Sequence, residues 1–153
     1  DEDLRYERVI VMTDADVDGA HIASLLITFF YQEMPALIEN GHLYLAVPPL
    51  YKIAHKADVA YARTEKERDD LIATQFKGKK PEVTRFKGLG EMDFKDLKST
   101  TMDPKKRMML RVEIADGDKL TLSDTVSALM GSKPEARFRF IQDRAAFAKD
   151  LDI

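Results

Sequence analysis

Residues 9–22 read V-I-V-M-T-D-A-D-V-D-G-A-H-I, with aspartates at every second position from 14 to 18. Carboxylates this close repel one another unless water or a cation meets them. The nearest cation in sequence, Arg8, lies on the far side of the apolar run, so nothing within the segment offsets the charge. Crowded oxygen ligands suit a hard divalent cation, which makes Asp14, Asp16 and Asp18 a candidate metal site. A second set of residues is basic or flexible. Lys52 follows P-P-L-Y, a rigid turn that aims its side chain. Arg85 and Lys87 lie in R-F-K-G-L-G-E-M, whose Gly88 and Gly90 permit close backbone approach to a ligand. Glu91 is placed to bond that tight loop. Arg137 and Arg139 sit on a predicted helix, where Glu135 and Asp143 are alternative partners. His21 stands beside the acidic turn, whereas His42 and His55 read as surface residues. Tyr6, Tyr31, Tyr44, Tyr51 and Tyr61 lie in strand, apolar-helix or turn context, which favours packing over a nucleophilic role.

These residues need elements to position them. Val9–Met12 is short and largely β-branched, and reads as a fully buried strand. Beyond Gly19, Ile22, Leu25, Leu26, Phe29 and Phe30 recur at helical spacing until Pro35 ends or kinks the helix, and Gly41 stops a short continuation. H-L-Y-L-A-V at 42–47 returns as a strand. The result is a β-α-β unit with parallel strands and a right-handed crossover. Ligands of such sheets sit outside the carboxyl ends of the strands, where Asp14 falls. Further strands are predicted at 59–63 and 107–114. Helices are predicted at 65–75, 93–100, 123–130 and 135–148, the last opened by Pro134.

At 153 residues the chain can hold one ordinary core with an appended subdomain. Hydrophobic content of 44% and charged content of 33% describe a globular protein, and no apolar run approaches the roughly 20 residues that span a bilayer. The absence of cysteine excludes disulfides and thiolate metal sites and fits a cytoplasmic location without a membrane. The net charge of −3 conceals segregation: residues 75–111 carry 11 basic and 5 acidic side chains, while residues 1–74 carry 7 and 14. A basic middle can follow a phosphate backbone or simply be a solvated surface. K-G-K-K-P at 77–81 is the best linker candidate.

Three metal readings compete for the acidic turn. D-x-D-x-D-G matches the start of a calcium-binding EF-hand loop. That loop needs a glutamate at its twelfth position, which here is Leu25, and a helix before it rather than a strand. A phosphatase of the haloacid dehalogenase type also places D-x-D after a strand, and G-D-K-L-T-L-S-D at 117–124 offers a loose match to its later acidic motif. A pure DNA-binding module is a further alternative. The third metal reading is carried by longer text. T-D-A-D-V-D-G after an apolar strand resembles the second acidic motif of the TOPRIM domain. V-I-V-M-T-D-A-D-V-D-G-A-H-I through P-P-L-Y-K-I, then R-F-K-G-L-G-E-M, then S-T-T-M-D-P-K-K-R-M-M-L-R-V-E-I resemble, in order, the B subunits of bacterial type IIA topoisomerases. The resemblance runs from about Tyr6 to Ile153. G-A-H-I-A-S-L-L and L-M-G-S-K-P-E-A-R-F-R-F-I-Q-D-R-A look more like the topoisomerase IV branch, with gyrase second.

The resemblance implies an α/β fold: the C-terminal part of a Rossmann-like parallel TOPRIM sheet at 1–53, an insertion or linker at 54–84, and a small α+β tail subdomain at 85–153. It implies a part in the DNA-cleavage and religation half of the enzyme, in which Asp14 and Asp16 act in catalysis and hold Mg²⁺, for which Mn²⁺ or Ca²⁺ can substitute, with Asp18 nearby. His21, Lys52, Arg85, Lys87 and Arg137 are the implied DNA contacts. The implied partners are double-stranded DNA and an A subunit that carries the catalytic tyrosine, in an A2B2 complex whose ATP is bound by a separate N-terminal domain. The family's further glutamate, in an E-G-D-S motif, is not in these 153 residues. The chain is therefore expected to be a C-terminal fragment, inactive by itself.

Overall fold

The computed structural model describes residues 4–115 and 119–145. Strand β1 (Val9–Val11) pairs in parallel with β2 (Leu43–Ala46), Val9 opposite Leu43 and Val11 opposite Leu45. Parallel neighbours need a crossover. It is built by α1 (Val17–Glu33) and the single turn α2 (Ala36–Glu39). Pro35 cannot donate to a preceding carbonyl, so α1 ends at Glu33 with Met34 as its C-cap, and the chain restarts as α2. Val11, Ala23, Ile38 and Leu43 form the buried centre, with Ile27, Phe30 and Tyr31 packed around it.

Two expectations change here. Among the described residues β1 has β2 as its one strand neighbour, Val9 and Ile10 are half-buried, and Met12 beyond the strand is exposed. Helix α1 turns Ala23, Ile27 and Phe30 to the core but leaves Ile22, Leu25, Leu26 and Phe29 exposed. Its apolar character runs round the helix, so periodicity alone did not distinguish the face that packs.

The other edge of β2 is taken by β6 (Met109–Arg111), antiparallel, Tyr44 opposite Arg111. A strand from the tail thus completes the first sheet, in the order β1-β2-β6. The second sheet was only partly visible in the sequence. It consists of β3 (Tyr51–His55), β4 (Asp58–Ala62) and β5 (Glu82–Arg85), antiparallel throughout and ordered β4-β3-β5. Beneath it lie α3 (Glu65–Thr74) and the fully buried Phe76, against Tyr51, Ile53 and Ala62. β4 and α3 match predicted elements. β3 hides behind two prolines, and all four residues of β5 are exposed, so neither carried an apolar signal. Residue 53 lies in the middle of β3, and K-G-K-K-P at 77–81 is the turn that leads into β5.

After the KGLG loop, α4 (Phe94–Leu97) runs into a π-helical turn at Lys98–Met102. Helices α5 (Lys119–Met130) and α6 (Pro134–Arg144) pack on one another, with Pro134 in the first turn as expected. The predicted strand at 107–114 shortens to β6, and the helix predicted from 123 begins at 119. Residues 146–148 of the last predicted helix lie outside the described residues, as does Asp118 of the phosphatase-like motif; Asp124 stands on α5. Tyr6 is 74% exposed, against the packing role expected of it. Among the described residues, no helix is long and apolar enough to cross a membrane.

Candidate functional site

Asp14 leaves the carboxyl end of β1, and Asp16 is the N-cap of α1. The Asp16 backbone is extended, and its Oδ1 accepts the Gly19 N–H at 2.7 Å. Asp18 follows in the first helical turn. Capping and the partial positive charge of a helix N-terminus both favour carboxylates here. This corrects the expectation that nothing offsets the acidic turn: the backbone does so in part. The turn is also tight. A Cβ on Gly19 would lie 1.9 Å from the Asp14 carbonyl oxygen, so only glycine lets the helix start beneath it.

Across the sequence, the KGLG loop closes on Asp14. The Leu89 N–H donates to Asp14 Oδ1 at 2.7 Å. Glu91 Oε2 accepts the Lys87 N–H at 2.7 Å, which closes the loop around the 3-10 turn Leu89–Glu91, as the sequence suggested. Just before it, Phe86 is buried at 5% exposure, and its N–H donates to the Leu50 carbonyl at 2.8 Å. That anchor leaves Arg85 and Lys87 exposed on either side. Both line an open cleft of about 480 Å³ together with Asp16 and Asp18. Residues about 70 positions apart, acidic on one side and basic on the other, thus share one surface.

The remaining candidates lie elsewhere. His21 is exposed in the first turns of α1. Lys52, which alternates with Tyr51 and Ile53 along β3 and so points to the face away from Phe76, reaches Asp96, its Nζ at 2.7 and 3.0 Å from the two carboxylate oxygens. The Tyr61 hydroxyl donates to the same Oδ1 at 2.7 Å. Burial pushes the Asp96 carboxyl up, but the hydrogen bonds from Lys52 and Tyr61 and the Lys52 charge outweigh it, holding the group below its ordinary value. The bond to Asp96 raises Lys52 in turn. Arg137 donates from Nη1 to the Gly131 carbonyl at 2.6 Å and the Leu129 carbonyl at 3.4 Å, so its contacts are carbonyls at the end of α5. His42 Nδ1 lies 2.8 Å from the Glu7 carbonyl oxygen.

Among the described residues, no three His, Asp or Glu side chains form a group that could hold a metal ion. Asp14 and Asp16 nonetheless fit a hard cation. Both are exposed, each has one oxygen bonded to an N–H, and a carboxylate has lone pairs to spare. Mg²⁺ retains several waters and accepts one or two carboxylates together with phosphate oxygens.

The Toprim domain family matches residues 1–48, and the family described as DNA gyrase B subunit, carboxyl terminus, matches residues 78–142. Their order along the chain decides its kinship. The chain belongs to the B subunits of type IIA DNA topoisomerases. Among these, the DNA topoisomerase 4 B subunit of Bartonella bacilliformis is 63% identical and that of Caulobacter vibrioides 62%, each over the whole of this chain. The DNA gyrase B subunit of Treponema denticola is 48% identical over 99% of it. The chain spans only 22% of the first two relatives and 23% of the third. In B-subunit terms, the acidic turn belongs to the Toprim match and the KGLG loop to the gyrase B match, so the Asp14–Leu89 bond joins the two.

The sequence had marked Gly88 for close approach to a ligand, yet what the loop approaches is Asp14 of the same chain. Leu89 acts through its backbone, for which side-chain type gives no signal. Asp96 was missed because a lone aspartate in a helical, lysine-rich stretch resembles any solvated residue.

Proposed function

We propose that this chain is part of the DNA-cleavage and religation centre of a topoisomerase IV-type B subunit. In this reading Asp14 and Asp16 hold Mg²⁺, with Asp18 beside them and a further carboxylate from the family's E-G-D-S motif. When bound, the metal supplies charge stabilisation at the reacting phosphate. The chain's own residues bind and orient. Asp16 starts α1 at the site, Leu89 holds Asp14, and Arg85 and Lys87 offer cations to the phosphates of double-stranded DNA. The nucleophile is assigned to the tyrosine of a partner A subunit, and ATP to another part of the full-length B chain. Two contacts carry the proposal: Asp16 and Asp18 line one cleft with Arg85 and Lys87, and Asp14 accepts the Leu89 N–H of the loop that follows Lys87.

The test uses the full-length protein mixed with its A subunit, DNA and Mg²⁺. Covalent adducts on the A chain are expected, and Asp14→Ala should lose nearly all of them, Asp18→Ala fewer. Replacing Arg85 and Lys87 with alanine should weaken binding about equally for all DNA sequences, because bonds to phosphate carry no base code. The salt dependence should become shallower by about 0.9 in log–log slope for each phosphate left without its cation. Undiminished adduct formation by Asp14→Ala would overturn the assignment.

A further inference from the structure

Gly88 and Gly90 stand one residue apart in the same loop but do different things. The Gly88 backbone is extended, at φ −159° and ψ 172°, a conformation open to any residue. Its lack of a side chain must therefore serve something other than backbone freedom. The three atoms nearest to a Cβ there all belong to the Asp14 carboxylate: Cγ at 2.8 Å, Oδ2 at 2.8 Å and Oδ1 at 2.9 Å. A Cβ on Gly90 would meet nothing within 4 Å. The Leu89 N–H, one residue on, donates to Asp14 Oδ1 at 2.7 Å. Glu91 closes the loop from behind by accepting the Lys87 N–H at 2.7 Å.

From this contact we propose that loop 87–91 is a positioning clamp for the Asp14 carboxylate. Gly88 leaves the space the carboxylate occupies, Leu89 fixes one of its oxygens, and Glu91 holds the loop in shape. A loop of the gyrase B-like region thereby sets the orientation of a Toprim carboxylate 75 positions away. Losing a hydrogen bond that orients a metal-ligating group typically costs about 10- to 100-fold in metal affinity. The proposal rests on the reading of Asp14 as a metal ligand only for its effect on the metal; the clamp itself is geometry. Because Asp14 is exposed and its carboxylate is the free end of a side chain, a methyl at position 88 displaces the carboxylate rather than the fold.

The experiment compares Gly88→Ala, Gly90→Ala and Asp14→Ala in the full-length protein with two readouts. The first is hydrogen–deuterium exchange of the peptide holding Leu89, without metal. Gly88→Ala and Asp14→Ala should both speed exchange there, with the protein's unfolding transition unchanged, and Gly90→Ala should not. The second is Mn²⁺ affinity by electron paramagnetic resonance. Gly88→Ala should weaken it by about 10- to 100-fold, and Gly90→Ala by less than about twofold. Unchanged exchange at Leu89 in Gly88→Ala overturns the clamp. Normal Mn²⁺ affinity in Gly88→Ala overturns its effect on the metal. Normal Mn²⁺ affinity in Asp14→Ala instead overturns the metal assignment, while faster exchange still supports the clamp.

Discussion

Two aspartates of this chain sit at opposite ends of one scale. Asp96, on the face of the second sheet away from Phe76, is 6% exposed and takes hydrogen bonds from the Lys52 ammonium and the Tyr61 hydroxyl. Asp14, at the end of β1, is exposed, and the hydrogen bond it receives comes from a neutral backbone N–H. A buried charge must be met from inside the protein, because taking it out of water is costly. An exposed carboxylate held in place only by an amide keeps its charge available for something outside. The Asp96 region spends its cation internally and is structural. The Asp14 region directs its loop toward orienting a carboxylate and leaves Arg85 and Lys87 exposed in the cleft.

The largest effect expected from this contrast is on stability. Asp96→Ala in the full-length protein should destabilise by about 3 kcal/mol, since it strands a partly buried ammonium and a phenol. Asp14→Ala should remain within about 0.5 kcal/mol, as surface changes do. Denaturant unfolding checks both, and equal losses would erase the distinction.

Tyr61→Phe should come next, at about 1.5 kcal/mol for a hydrogen bond to a charged acceptor, with no change in Mn²⁺ affinity. Asp16 sharpens the comparison further, because it both caps α1 and is assigned to the metal. Asp16→Ala should cost about 1 kcal/mol, while Asp16→Asn, which still caps, should cost only a few tenths. Both should lose metal binding alike. Calorimetry on the two variants separates cap from ligand.

The smallest effect is at the extremes of pH. The Asp96 carboxyl is held below its ordinary value of 3.8, so the stability it contributes is present above that value. It is lost as pH falls further, through the lowered value. The Lys52 ammonium is raised above 10.5, so its contribution persists below pH 10.5 and is lost as pH rises through the raised value. Asp96→Asn should flatten both limbs of a stability-against-pH curve relative to the parent protein. An unaltered acid limb would show that Asp96 does not carry it.

Much of the first sheet could be read directly from residue order. The apolar run before Asp14, the stop at Pro35 and the return at Leu43 are local signals, and β1, α1 and β2 follow them. The acidic turn, the basic segment and the flexible glycines were likewise evident as residue types. The sequence could not tell which of these would meet. Arg85 and Lys87 reach the cleft of Asp16 and Asp18 because β5 pairs with β3 and the buried Phe86 is tied by its N–H to the Leu50 carbonyl. Lys52 seemed as free as Lys87, yet it is drawn to an aspartate 44 positions away. Periodicity and turn chemistry act over a few residues, so a single chain displays them openly. Contacts such as Asp14 with Leu89 depend on how whole elements pack, and only the folded chain decides that Gly88 must leave room for a carboxylate.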